Sequence, residues 1–146
     1  MNNDNTRIME NNISLLIVDD DPDDRELFIE AVKDVDEDIE CVTANNGLQA
    51  LEWLQDTSNP LPNLIFLDIR MPLLNGKKCL YAIKNDERLR HIPVIIYTTS
   101  KDVEESKELK EMGAFHFISK PGNADEIYYM VSVVLEEYLI ASRKNN

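Results

Sequence analysis

Glycine and cysteine are scarce in this sequence, and their scarcity argues against several kinds of site. Only four glycines occur among 146 residues, and none belongs to a loop of the kind that cradles nucleotide phosphates. The two cysteines, Cys41 and Cys79, form no CxxC pair, so we expect reduced, packed thiols rather than a metal site. No apolar run approaches the roughly 18 residues that span a bilayer, and the N-terminus has no hydrophobic signal region. We therefore expect a cytoplasmic protein.

Positive charge is also scarce. The chain has 15 Lys and Arg against 28 Asp and Glu, which gives a net charge of −13. It therefore lacks the basic face that binding to nucleic-acid phosphates or to an anionic membrane surface requires. The imbalance fits a protein that meets basic partners or binds a cation. A hydrophobic fraction of 43% in a chain of this length indicates one folded domain with a real core.

Five short apolar segments are predicted to be β-strands. Those that begin at Leu15, Leu64 and Val94 are apolar at consecutive positions, which is typical of parallel strands covered on both faces. The five segments are residues 15–18, 40–44, 64–67, 93–98 and 115–119. Because amphipathic segments separate them, the chain reads as five β-then-α units, which predicts a doubly wound α/β fold around a parallel sheet.

The amphipathic segments are predicted to be helices at residues 22–35, 47–56, 75–85, 102–112 and 123–140. The second places Leu48 on its apolar stripe, and the fourth is mostly charged with Val103 and Leu109 as its few anchors. Asn123 and Glu126 resemble a capping box at the start of the fifth. The domain is expected to span residues 13–141, between flexible tails at 1–12 and 142–146.

Polar side chains collect where four of the predicted strands end. In doubly wound folds ligands bind beyond the carboxyl ends of the strands, so residues that follow different strands should converge there. Each group alone is common at a turn or a helix start, but their joint occurrence at four strand ends indicates a site. They are Asp19, Asp20 and Asp21 after the first strand, Asp68 after the third, Thr98, Thr99 and Ser100 after the fourth, and Lys120 after the fifth.

This set of residues has a chemical interpretation. The carboxylates of Asp19, Asp20 and Asp68 would repel one another unless a cation lay among them. Oxygen ligands without His or Cys suit Mg²⁺ or Mn²⁺. A carboxylate beside such an ion can attack phosphorus and form an aspartyl phosphate. The Lys120 ammonium and the Thr98 hydroxyl would then hold the remaining phosphoryl oxygens.

The sequence resembles the receiver domain of two-component response regulators over roughly residues 14–140. The motifs are IVDDD, LDIRMPLLNG, PVIIYTTS and GAFHFISKP, and Asp68, Met71, Pro72 and Gly76 reproduce the family spacing D-x-x-M-P-x-x-x-G. The resemblance implies a flavodoxin-like three-layer sandwich whose five strands lie in the order 2-1-3-4-5. It also implies a protein that is not a dedicated enzyme but assists its own phosphorylation and dephosphorylation.

The resemblance further implies roles for the site residues. Asp68 would accept phosphate from a sensor histidine kinase or a histidine phosphotransfer protein. Asp19 and Asp20 would position Mg²⁺ or Mn²⁺ together with Asp68 and the backbone carbonyl of Arg70. Lys120 would contact the phosphoryl group.

The same resemblance implies a switch formed by Thr98 and Phe117. Phosphate would draw the Thr98 hydroxyl inward, and the Phe117 ring would turn into the vacated space. That motion would repack the face of the fourth helix, fifth strand and fifth helix for a downstream protein; the alternative is that Phe117 is a core ring that never moves.

Two further expectations concern residues beside the site. The resemblance implies that the peptide bond before Pro121 is cis. Asp21 is expected to be a solvated residue at the helix start.

Three functions remain open on sequence alone. The first is a stand-alone phosphoacceptor switch, monomeric or weakly dimeric. Because we expect no residues to remain for an output domain, its output would be a protein contact, a phosphorelay step or competition for a kinase's phosphate. The second is an interaction module that keeps the fold but works without phosphorylation. The third is a metal-dependent phosphatase, which is disfavoured because such enzymes use D-x-D, whereas Asp68 is followed by Ile69 and Arg70.

Overall fold

A central parallel sheet organises the chain. The computed structural model describes residues 13–144. The strands are β1 (Ser14–Val18), β2 (Glu40–Ala44), β3 (Leu64–Leu67), β4 (Val94–Thr98) and β5 (His116–Ser119), and the helices are α1 (Pro22–Val35), α2 (Gly47–Gln55), α3 (Gly76–Lys84), α4 (Val103–Glu111) and α5 (Ala124–Lys144). All strand pairs are parallel, in the order β2-β1-β3-β4-β5. This architecture confirms the predicted doubly wound fold and its strand order.

The consecutive apolar residues of the central strands contribute to two separate hydrophobic cores, one on each face of the sheet. In β1, Leu15 and Ile17 pack on the side of α1 and α5, whereas Leu16 and Val18 pack on the side of α2, α3 and α4. Successive side chains of a strand point to opposite faces, so a sheet covered on both faces needs apolar residues at every position. The two helical layers therefore pack independently against a shared sheet.

Helix starts next to the sheet's carboxyl edge are set by side-chain caps. Asp21 caps α1, because its Oδ1 accepts the backbone N–H groups of Asp23 at 2.9 Å and Asp24 at 3.2 Å. Asn123 caps the start of α5 by accepting the Glu126 N–H at 3.0 Å, and its amide donates to the Glu126 carboxylate at 2.9 Å. The capping pair predicted from the sequence is therefore present, and the third acid after β1 is a cap that begins α1.

Three details of the helices differ from the sequence-based expectations. Helix α5 continues to Lys144, so residues 142–144 are helical rather than part of a tail. The apolar stripe that predicted the helix ends before the helical backbone does. Val103 is 76% exposed, because it opens α4 before the helix meets the core, and Leu109 alone of α4 is buried. Leu48 is 49% exposed, because α2 turns its small residues Gly47 and Ala50 toward the core with Leu54. The tail expected at residues 1–12 lies outside the described residues.

Two further expectations concern Pro121 and the cysteines. The bond before Pro121 is trans, like every peptide bond between residues 13 and 144, so the implied cis bond is wrong; trans is the lower-energy isomer before proline by about 0.5–1 kcal/mol. Both cysteines are free thiols, Cys79 buried and Cys41 half-buried. Burial raises the pKa of the Cys79 thiol to about 12, so this thiol is unreactive at neutral pH. No helix in the described part of the chain is both long and apolar enough to cross a membrane.

Candidate functional site

The carboxyl ends of β1 and β3 bring three carboxylates together. One carboxylate oxygen from each of Asp19, Asp20 and Asp68 lies within 4.8 Å of the others, although Asp68 is remote in sequence. Backbone hydrogen bonds continue the sheet into these residues: Asp68 N donates to Val18 O at 2.9 Å. Asp19 and Asp68 are buried, whereas Asp20 is exposed. The convergence expected at the strand ends is therefore present for the acids.

Lys120 places its ammonium among these acids. Its Nζ donates to Asp19 Oδ2 at 2.7 Å, to Asp24 Oδ2 at 2.9 Å and to Asp68 Oδ2 at 3.2 Å. Only 9% of the Lys120 side chain is exposed. An ammonium has three N–H donors, so this arrangement uses all of them.

Burial and charge act in opposite directions on the pKa values of this cluster. Burial lowers the pKa of Lys120, but its hydrogen bonds to Asp19 and Asp24 and the charge of Asp68 outweigh burial and raise that pKa overall. Burial raises the pKa of the Asp19 carboxyl, because desolvation outweighs the opposing effect of the Lys120 ammonium. Lys120 therefore carries its charge at neutral pH. It faces more carboxylates than it can neutralise.

The two oxygens of Asp68 have different partners. Oδ1 accepts the backbone N–H of Arg70 at 3.1 Å, and Oδ2 accepts Lys120. The side chain is thereby held in one orientation beside Asp19 and Asp20. Three carboxylates without His or Cys form a donor set that fits Mg²⁺ or Mn²⁺, and a divalent ion would offset the uncompensated negative charge.

Thr98 and Phe117 lie on the neighbouring strands. Thr98 is fully buried at the end of β4, and its carbonyl accepts the Lys120 N–H at 2.7 Å. That bond joins the end of β4 to the segment that carries the ammonium. Phe117 lies in β5, opposite Ile96 in the β4–β5 register, and is partly buried against the core beneath α2, α3 and α4.

A polar bridge crosses from the β3–α3 loop to α4. Glu105 accepts the Ser100 hydroxyl at 2.8 Å and lies 3.3 Å from the Arg70 guanidinium. A second ion pair joins α3 to α4, between Lys77 and Glu108 at 2.5 Å. Leu109 is the one buried residue of α4, and these polar contacts are further links between α4 and its neighbours.

We expect this bridge to contribute little to global stability. In the Glu105→Gln variant, the free energy of unfolding should fall by less than about 1 kcal/mol, because the Arg70 side chain is 59% exposed and Glu105 is 30% exposed, so solvent screens the pair. Urea unfolding checks this, with Glu104→Gln, an exposed neighbour on α4, as the matched control. A loss above about 2 kcal/mol, confined to position 105, would show that the bridge is structural.

Two of these residues were not identified from the sequence. Asp24 lies on the first turn of α1, which starts at the carboxyl edge of β1, and that position was the only available signal. Glu105 sits in a helix of mostly charged residues, where no pattern separates it from its neighbours. Their partners, Lys120 and Arg70, are 96 and 35 positions away in sequence.

Aromatic residues form the apolar floor beneath the cluster. The Phe28 ring lies 4.7 Å from Phe66 and 5.2 Å from Tyr97, between ring centroids. Lys120 Nζ lies 5.8 Å from the centroid of the Tyr97 ring, within reach of a cation–π attraction. Burial raises the pKa of the Tyr97 phenol, so this ring stays neutral beneath the acids.

Known proteins share this arrangement of elements. Residues 15–132 match the family model described as response regulator receiver domain. Response regulator Rcp1 of Synechocystis sp. is 31% identical over 121 residues, which cover 80% of this chain and 82% of Rcp1. Regulatory protein AtoC of Escherichia coli is 34% identical over 122 residues, which cover 84% of this chain but 25% of AtoC.

Two solved structures are similar over most of their length. The Mn²⁺-bound form of response regulator Rcp1 superposes with a TM-score of 0.76 at 30% identity, covering 84% of this chain and 91% of that one. The phosphorylated cyanobacterial phytochrome response regulator RcpA gives a TM-score of 0.80 at 27% identity, with coverage of 87% and 94%.

Proposed function

Because the chain belongs to the response regulator receiver domain family, whose members are signalling switches rather than dedicated enzymes, we propose that Asp68 is its phosphoacceptor. The phosphate would come from a phosphohistidine on a sensor kinase or a histidine phosphotransfer protein. One observation carries the proposal: the buried Asp68 carboxylate is held by Arg70 N–H and Lys120, beside Asp19 and Asp20. Among the described residues, Asp19, Asp20 and Asp68 form the one group of three acids placed to hold a metal ion.

The proposed transfer balances without an added oxidant or reductant. A carboxylate oxygen of Asp68 forms a bond to phosphorus while the phosphorus–nitrogen bond of the phosphohistidine breaks. The imidazole nitrogen leaves with the electron pair and takes a proton from solvent. Lys120, already within 3.2 Å of Asp68 Oδ2, is placed to donate to a phosphoryl oxygen. Asp19, Asp20, Asp68 and the backbone carbonyl of Arg70 would hold Mg²⁺ or Mn²⁺, which when bound neutralises phosphoryl charge.

The proposed output is a contact with a downstream protein. Thr98 and Phe117 would link the phosphoryl group to the face of α4, β5 and α5. Exposed apolar side chains on this face support a role in protein contact, Tyr129 at 71% exposure in particular. We propose a monomer or a weak homodimer that binds neither nucleic acid nor membrane, in keeping with the charge of −13.

Self-phosphorylation by a small donor tests the proposal. The full chain, incubated with acetyl phosphate and Mg²⁺, should take up one phosphoryl group that hydroxylamine removes, as expected for an acyl phosphate. Intact-mass measurement reports the stoichiometry. Continuous hydrolysis of many phosphate esters would favour the phosphatase instead. Absence of labelling, with protein binding intact, would favour the phosphorylation-independent module.

Asp20 offers a separate test of the metal ligands. In Asp20→Ala, the affinity for Mg²⁺ should fall at least about tenfold and labelling should slow, because one of three carboxylate ligands is lost. Calorimetric titration with Mg²⁺ measures the affinity. Asp23→Ala is the matched control, since Asp23 is an exposed acid outside the three-acid group. Equal affinities in the two variants would reject a metal role for Asp20.

A further inference from the structure

Asp24 differs in one respect from the other two partners of Lys120. Asp19 and Asp68 belong to the three-acid group that can hold a metal ion, and Asp68 is also the proposed phosphoacceptor. Asp24 is neither a member of that group nor the proposed phosphoacceptor, yet its Oδ2 accepts a hydrogen bond from the Lys120 ammonium at 2.9 Å. It is therefore the one carboxylate whose hold on Lys120 is not contested when a cation and a phosphoryl group arrive.

We propose that Asp24 is a positioning residue that holds the Lys120 ammonium in place for phosphoryl transfer. The inference rests on the proposed function of Asp68 and deepens it. Asp19 and Asp68 would share their charge with a cation bound beside Asp20, and their hold on Lys120 would weaken. Phosphorylation then places new acceptor oxygens on Asp68, and the N–H that pointed at Asp68 Oδ2 turns to one of them. Asp24 keeps its own N–H throughout.

The local structure suits Asp24 to this task. Its backbone is fixed in the first turn of α1, where its N–H donates to the Asp21 cap at 3.2 Å. The Asp24 side chain is 38% exposed and the Lys120 side chain is 9% exposed, so Asp24 lies at the solvent-facing side of the cluster and contacts a buried ammonium. Lysine has a flexible four-carbon stem whose ordering is entropically costly, and an anchor that acts before transfer removes part of that cost.

Asp23 provides a matched control for Asp24. Both acids lie in the first turn of α1, both donate their backbone N–H to Asp21, and both favour the helix dipole there. Asp23 is exposed, and Lys120 bonds only to Asp19, Asp24 and Asp68 among the described acids. Replacing either acid with alanine removes the same charge from the same turn, and only one replacement removes a partner of Lys120.

The first measurement is the rate of labelling by acetyl phosphate at saturating Mg²⁺. We expect Asp24→Ala to slow labelling roughly tenfold, as for the loss of one charge-assisted hydrogen bond, and Asp23→Ala to leave it within about twofold. In a Lys120→Gln background, adding Asp24→Ala should cause no further loss. Three results would each overturn the proposal. They are faster labelling in Asp24→Ala, equal labelling rates in the two alanine variants, and an undiminished loss of rate from Asp24→Ala in the Lys120→Gln background.

The second measurement does not depend on phosphorylation. The ammonium protons of Lys120 should give an observable ¹⁵N-correlated signal in the wild type and in Asp23→Ala, because the group is shielded and fully bonded. The signal should broaden away in Asp24→Ala, and Asp24→Asn serves if the alanine variant fails to fold. A signal unchanged by both Asp24 variants overturns the anchoring role. A different result is a wild type that takes up no phosphoryl group while its Lys120 signal still disappears in the Asp24 variants. That result would overturn the function proposed for Asp68 but leave the Asp24–Lys120 contact standing.

Discussion

Asp68→Asn will take up no phosphoryl group from acetyl phosphate under conditions that label the wild type completely. The carboxamide keeps the shape of the side chain and can still accept the Arg70 N–H, but its oxygen is a poor nucleophile toward phosphorus. Lys120 retains Asp19 and Asp24 as partners, so the ammonium is not left unpaired. The expected loss is therefore chemical, with the fold intact.

Intact-mass measurement and circular dichroism together check this result. Asp125→Asn, an exposed acid in the first turn of α5, is the matched control and should label like the wild type. A label that persists in Asp68→Asn and resists hydroxylamine would place the phosphate on another residue. Such a result would contradict the assignment of the acceptor even if the metal site were correct.

Gly76→Ala will destabilise the protein by about 3 kcal/mol or more, because the fold leaves no room for the added methyl group. A Cβ at position 76 would lie 2.4 Å from Ile69 Cα and 2.5 Å from the carbonyl oxygen of Asp68. Both are backbone atoms, so the strain cannot be relieved by rotating a side chain. The start of α3 and the segment that contains Asp68 and Ile69 must therefore move apart.

Gly122→Ala is the matched control for this substitution. A Cβ there meets no heavy atom within 4 Å, and the free energy of unfolding should change by less than about 0.5 kcal/mol. Urea unfolding followed by circular dichroism measures both variants. Because the clash involves the Asp68 carbonyl, the folded fraction of Gly76→Ala should also label more slowly. Unchanged unfolding of Gly76→Ala would mean that α3 can shift at little cost.

The sequence was sufficient for the sheet because each central strand had to be apolar at consecutive positions. Such runs at Leu15, Leu64 and Val94 leave few alternatives to parallel strands covered on both faces. Because the carboxyl ends of parallel strands share one edge, the polar residues that follow those strands are expected to meet there. The sequence therefore predicts that Asp19, Asp20, Asp68 and Lys120 lie together, as they do in the structure.

The missed details depend on how helices are rotated and where long side chains reach. Asp24 meets Lys120 because α1 leaves β1 at an angle that only the packed core determines. Leu48 is exposed because Gly47 and Ala50 allow α2 to approach closely with a different face, and helical periodicity alone does not separate the two choices. Helix α5 outlasts its apolar stripe, since the final turns need no buried side chains to remain helical.

The polar cluster at the carboxyl edge of the sheet, from Asp24 and Lys120 through Asp68 to Arg70 and Glu105, contacts both helical layers. Through Asp24 it reaches α1, which belongs to one core, and through Arg70 and Glu105 it reaches α4, which lies over the other. The two cores lie on opposite faces of the sheet. If Asp68 accepts phosphate as proposed, the new negative charge would change the electrostatic balance on both helical layers at once.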